Sequence, residues 1–178
     1  MKTLVIFDFD DTLFESETQV IVKSRKGHTR YLSSGEYASY VPHHEDELDF
    51  SQFEAYPTSP KPILASIERM RRAVDTYGID NVIILTARAN DKPVYEVLTD
   101  FSLPHVYVAT MGSSNPVAKA EFVVQTIKEE QYQRVIVLED NVKNIEAIKS
   151  AVIPILGERN FKAYNVRRES EGHILIRH

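Results

Sequence analysis

The chain contains no cysteine, which removes disulfides, thiolate nucleophiles and thiolate metal ligands. No apolar run approaches the roughly 20 residues that span a bilayer, so no membrane partner is expected and the cytoplasm is the expected location. A basic excess is missing as well. Lys and Arg number 21 against 26 Asp and Glu, a formal net charge of −5, which argues against a protein that coats a nucleic-acid duplex. No Gly-x-x-x-x-Gly-Lys-Ser/Thr loop occurs, so a P-loop kinase part is excluded. Internal repeats and low-complexity segments are absent, and nothing in the pattern implies a stable protein partner.

What is present is an ordinary globular composition, 43% hydrophobic and 26% charged over 178 residues, the size of a single domain spanning 1–178. Thr3 to Phe9 is apolar except for Asp8 and reads as a buried parallel strand. Further strands are predicted at Asn81–Thr86, His105–Ala109, Gln133–Leu138 and Ala151–Leu156. Between them, Lys61–Tyr77 carries Ile63, Ile67, Met70, Val74 and Tyr77 at helical spacing. Helices also follow at Lys92–Phe101, from the Asn115-Pro116 cap to about Glu130, and over Asn141–Ser150. This alternation predicts an α/β fold, a Rossmann-like three-layer α/β/α sandwich with a central parallel sheet of about five strands. After Phe161 the chain turns polar and basic, with His173–Arg177 as a terminal strand.

Residues 15–59 break the alternation and read as a flap inserted into the domain. Gln19–Lys23 and Thr29–Leu32 flank Lys26-Gly27 as a hairpin. Ser33-Ser34-Gly35-Glu36 resembles a capping box that opens a short helix to Tyr40. A basic block (Lys23, Arg25, Lys26, Arg30, with His28) is followed by an acidic one from Glu36 to Glu54 that holds no Lys or Arg.

In open parallel sheets, chemistry collects at the carboxyl ends of the strands. Asp8 and Asp10 lie there, followed by Thr86 on the second strand and Glu139-Asp140 on the fourth. Two carboxylates at i and i+2 repel each other, and keeping both ionised calls for a cation or strong hydrogen bonds. A hard, oxygen-seeking Mg²⁺ fits that need. One carboxylate can then attack phosphorus and the other can protonate the leaving oxygen. The bland alternative is a strand end followed by a helix cap, although unpaired carboxylates in an apolar strand are costly.

The series resembles the haloacid dehalogenase superfamily over about residues 3 to 156. Asp8, Asp10 and Thr12 match its Asp-x-Asp-x-Thr motif, Thr86 its second, Lys119 its third, and Glu139-Asp140 with Asn144 its acidic fourth. The resemblance implies Asp8 as nucleophile and Asp10 as general acid/base. It further implies Mg²⁺ on Asp8, the Asp10 carbonyl and Asp140, Thr86 on the transferring phosphoryl group, and Lys119 as the balancing cation. Glu139 and Asn144 would support these ligands, and Thr12 and Arg88 would approach substrate. Each has a plainer alternative: Thr86 as a turn cap, Lys119 and Arg88 as surface residues, Glu139 as the ligand in place of Asp140. Asp10 favours phosphate esters over halides, since a halide leaves without a proton.

The flap is too short for a full helical cap, so an open site is expected, suited to a nucleotide or nucleic-acid end. Lys23, Arg25, Lys26, His28 and Arg30 are candidate phosphate contacts, or else a solvated hairpin tip, and Tyr31, Tyr37, Tyr40 and Tyr56 could stack a base or simply pack the flap onto the core. The layout is also similar to the phosphatase part of phage-type polynucleotide kinase-phosphatases. A sugar-phosphate phosphatase and a non-catalytic regulatory module on the same fold are the rival expectations.

Overall fold

The computed structural model describes residues 1–178. In chain order the elements are β1 (Thr3–Phe7), β2 (Phe14–Glu15), β3 (Gln19–Lys23), β4 (Thr29–Ser33), α1 (Ser34–Ser39), β5 (Glu47–Asp49), β6 (Lys61–Pro62), α2 (Leu64–Tyr77), β7 (Val82–Thr86), α3 (Lys92–Asp100), β8 (Tyr107–Thr110), α4 (Pro116–Glu130), β9 (Arg134–Glu139), α5 (Val142–Leu156), β10 (Phe161–Glu169) and β11 (Gly172–Arg177). The fold is mixed α/β around a six-stranded sheet of order β11-β10-β9-β1-β7-β8. All pairings are parallel except β10 with β11 at one edge.

β1 and β7 are buried at every position, as strands covered on both faces must be. Alternate residues feed two apolar clusters. Val5 and Phe7 of β1 join residues of α2 and α3, whereas Leu4 and Ile6 join residues of α4 and α5. The helices start where the sequence signals them. Asn115 Oδ1 accepts a hydrogen bond from Val117 N at 3.0 Å, with Pro116 in the first turn, and Asn141 Oδ1 accepts from Lys143 N at 3.0 Å. No helix is long and apolar enough to cross a membrane.

One predicted strand is corrected. Ala151–Leu156 is the last part of α5, which runs through Pro154. Proline fixes a φ that a helix accepts and costs the turn one hydrogen bond. Fully buried Val152 packs with Ile145 and Ile148 in the apolar cluster on that face, and this packing outweighs the β-branched run's preference for strand. The fifth parallel strand is β10, whose register with β9 runs from Phe161↔Val135 to Asn165↔Glu139.

The insert leaves and returns through a two-residue antiparallel pair, Phe14↔Pro62 and Glu15↔Lys61. Within it β4-β3-β5 forms a small sheet. Ser33 caps α1, its Oγ accepting from Glu36 N at 3.1 Å and donating to Glu36 Oε1 at 3.2 Å, so the N-cap half of the capping box forms while the Glu36 carboxylate meets the Ser33 hydroxyl instead of its backbone N–H.

Candidate active site

Asp8 N still donates to Leu138 O at 3.0 Å, so the residue extends the ladder of β1. The chain then folds back: the Phe9 carbonyl accepts from Leu13 N and Phe14 N at 3.0 and 3.2 Å. Asp11 takes the left-handed conformation, φ 59°, which Asp tolerates better than most residues. Asp8 and Asp10 thereby line the same cavity of about 470 Å³, with Thr86, Arg88, Lys119, Glu139, Asp140 and Asn144 also on its wall.

Thr12 is fully buried between two carboxylates. Its Oγ lies 3.1 Å from Asp8 Oδ2 and 3.3 Å from Asp140 Oδ1, and accepts from Asp140 N at 3.1 Å. A hydroxyl has one proton to give, so Thr12 positions the two acids against each other. It does not line the cavity as the substrate contact that the sequence suggested.

Lys119, buried in the first turn of α4, donates to Asp8 Oδ1 at 2.9 Å and to Glu139 Oε2 at 2.7 Å. A cation near a helix N-terminus opposes the dipole, and these two acids offset that. Burial works against its charge, but Asp8 and Glu139 outweigh burial and hold the ammonium above the usual lysine range. The acids remain in excess. Carboxylate oxygens of Asp8, Glu139 and Asp140 lie within 4.8 Å of one another. Burial first, and then repulsion from Glu139, raises Asp8 despite Lys119. Burial, then Glu139 and Asp8, raises Asp140 further. Three close carboxylates against one ammonium, all offering oxygen, suit a hard divalent cation.

The strand ends are fixed from behind. Asn165 Nδ2 on β10 donates to the carbonyls of Glu139 and Asp140, at 3.2 and 2.8 Å. Asn141 N donates to Glu139 Oε1 at 3.1 Å. Thr86 ends β7, buried, its Oγ accepting from Arg88 N at 3.2 Å.

Arg88 is 3% exposed and is engaged with protein groups. Its Nε and Nη2 grip Asp10 Oδ2 and Oδ1 at 2.9 and 2.8 Å, and Nη1 donates to the Phe53 and Ala55 carbonyls of the flap at 2.8 and 3.2 Å. The fork that sequence reasoning assigned to substrate phosphate therefore holds Asp10 and the flap. A second flap anchor is the Ser34 hydroxyl, which donates to Asp11 Oδ2.

The flap's basic residues stay outside the cavity. Lys23 Nζ lies 3.8 Å from Asp49 and Arg25 Nη1 2.6 Å from Glu45, while Arg30 sits over the Tyr40 ring. The basic and acidic blocks of the insert thus pair with each other. Instead, Tyr37, Ala38, Phe50 and Phe53 are the insert's apolar side chains that line the cavity. Of these, Tyr37 is one of the insert tyrosines offered from the sequence for stacking a base, whereas Ala38, Phe50, Phe53, Ser113-Ser114 after β8, and Asn165 were not singled out. Only the aromatic content of the insert gave a signal for them.

No family model, curated protein or solved structure matches the chain.

Proposed function

We propose that the chain is a Mg²⁺-dependent phosphomonoesterase of the haloacid dehalogenase type, on a Rossmann-like three-layer fold, with a nucleotide as substrate. One observation carries the reading: the two carboxylates of the first motif have different partners. Asp8 is bridged by Lys119 to Glu139, and Asp10 is held at both oxygens by Arg88. That separation suits two different tasks.

Asp8 is the nucleophile. Its carboxylate attacks phosphorus, the bond from phosphorus to the ester oxygen breaks, and Asp10 gives that oxygen its proton. Asp10 then takes a proton from water, whose oxygen attacks the phosphorus of the aspartyl-phosphate and releases phosphate and Asp8. Each Asp10 oxygen keeps a lone pair beyond the one Arg88 occupies, so the fork orients the group without blocking proton transfer. Thr86 Oγ, which accepts from Arg88 N, has its own proton free for a phosphoryl oxygen. Lys119 neutralises charge as the phosphoryl group arrives. Asp8, Asp140 and the Asp10 carbonyl would hold Mg²⁺, with Glu139 and Asn144 beside them; the ion would supply charge neutralisation on the phosphoryl oxygens.

Phosphate release from mononucleotides is the test, with wild type and Asp8→Asn assayed in Mg²⁺ and again after chelation. Turnover that disappears in the variant, and disappears reversibly on chelation, is the expected result. Activity surviving in Asp8→Asn would remove the nucleophile, and a wild type inert toward every phosphoester would favour a non-catalytic module.

A further inference from the structure

The cavity above Asp8 has two walls of different chemistry. The floor carries the carboxylates and Lys119, and the flap brings Tyr37, Phe50, Phe53 and Glu54 over it. Tyr37 and Phe50 pack edge to face with centroids 5.3 Å apart. The Tyr37 hydroxyl lies 3.2 Å from Ser114 Oγ on the loop after β8, so the roof meets the core there as well as at Arg88. Phe53 lies against the Arg88 guanidinium, 5.1 Å from ring centroid to Cζ, which fixes that side of the roof.

The charges limit what fits beneath. Five acids border the cavity (Asp8, Asp10, Glu54, Glu139 and Asp140), against two bases, Arg88 and Lys119. Both bases are already engaged, Arg88 by Asp10 and the flap carbonyls and Lys119 by Asp8 and Glu139. One phosphoryl group is served by the floor. A second would lie among acids without an uncommitted cation, and on the roof it would meet Glu54. The flap's outer cations do not line the cavity, and two of them, Lys23 and Arg25, pair with Asp49 and Glu45. Nucleic-acid strands are held chiefly through such phosphate contacts. About 470 Å³ is within the range of small-molecule sites, and exposed aromatic side chains bind flat rings by stacking.

We propose that the flap makes this site selective for singly phosphorylated esters of a neutral, flat-ringed alcohol of nucleoside size, with Tyr37 and Phe50 binding the ring and Glu54 turning away a second phosphate. This inference rests on the phosphatase reading above, and concerns only what that site accepts.

The test is a kcat/KM panel in Mg²⁺ on nucleoside 3′- and 5′-monophosphates, nucleoside 3′,5′-bisphosphate, glucose 6-phosphate, glycerol phosphate, and oligonucleotides phosphorylated at either end. A mononucleotide should exceed the bisphosphate, both oligonucleotides and the two ringless or non-aromatic esters by about tenfold or more. Phe50→Ala should lower the ratio of mononucleotide to glycerol phosphate by about tenfold to a hundredfold. That ratio is taken within one protein preparation, so a partly folded variant does not distort it. Glu54→Lys, at an exposed position, should raise the bisphosphate relative to the monophosphate. The inference is overturned if the bisphosphate, an oligonucleotide or a sugar phosphate matches the best mononucleotide, or if neither variant shifts its ratio. Hydrolysis of none of these esters would instead remove the phosphatase reading, and this inference with it.

Discussion

Replacing Lys119 with methionine keeps a long apolar stem and removes the ammonium. That ammonium lies 2.9 Å from Asp8 Oδ1 and 2.7 Å from Glu139 Oε2, and all three residues are buried. Removing one member of a buried ion pair strands the other and costs about 3–5 kcal/mol. Here two carboxylates lose the same partner, with Asp140 alongside. For a chain of this size each kcal/mol moves the melting midpoint by about 2–4 °C, so a drop of roughly 6–20 °C is expected at pH 8 without divalent metal. The pH dependence is the sharper signature. Burial and Glu139 already raise Asp8 above its ordinary value, and losing Lys119 raises it further. A carboxylate whose folded pKa is raised contributes stability that is full below its unfolded pKa and is lost as pH rises through the folded value. The deficit of Lys119→Met is therefore small near pH 4 and largest near pH 8. Calorimetry of both proteins in chelator across that range measures it. A variant as stable as wild type at pH 8, or with the same deficit at both ends, would refute the charge balance described for this site.

Three further outcomes are expected. Burial lifts Asp11 from an ordinary 3.8 to about 6, with the Ser34 hydrogen bond opposing and Asp10 and Asp8 adding to the rise. Its stabilising contribution is thus full below about pH 4 and lost as pH rises through 6. Asp11→Asn, which tolerates the same backbone conformation, should flatten that slope and gain about 1–3 kcal/mol at pH 7 in metal-free urea titrations. Arg88→Lys cannot reproduce the two-point grip on Asp10. It should lower kcat on the order of 10²-fold with little change in KM, the loss expected when a proton-transfer group is misplaced. Asn165→Ala leaves the Glu139 and Asp140 carbonyls without their side-chain donor, for a loss of about 1–3 kcal/mol in urea unfolding.

The parts of the fold that were legible in the sequence are those where local signals and burial agree. β1 and β7 are apolar runs buried on both faces, and α4 opens on an Asn-Pro cap that the structure keeps. β10 was not legible because only one side of its first half is buried and its second half carries Arg167, Arg168 and Glu169 in the open. Its place as a strand comes from pairing with β9 and β11, which no local pattern encodes. With β10 hidden, so was Asn165, 26 residues from the Glu139 carbonyl it holds. Arg88 was visible as a residue but not in its contacts. Its partners Asp10, Phe53 and Ala55 stand 78, 35 and 33 positions away, and only the folded flap brings them to one guanidinium.

The same long-range pairing explains why charge blocks in the insert say little about substrate. Lys23 and Asp49 sit on neighbouring strands, β3 and β5, where a basic run and an acidic run of one small sheet meet side by side. Such exposed pairs are worth little individually, yet they leave the flap's basic face partly engaged within the flap itself. The core has no comparable balance, since of the three clustered acids Asp8 and Glu139 share one lysine and Asp140 has none. On the proposed reading, attraction for a phosphate-bearing ligand would be concentrated where a cation can join those acids, and the flap would contribute through the aromatic side chains that line the cavity. Salt offers a direct discriminator. If the outer cations recruited substrate, KM for any phosphoester would climb steeply with ionic strength; recruitment by the roofed site leaves KM for mononucleotides nearly flat and dependent instead on Tyr37 and Phe50.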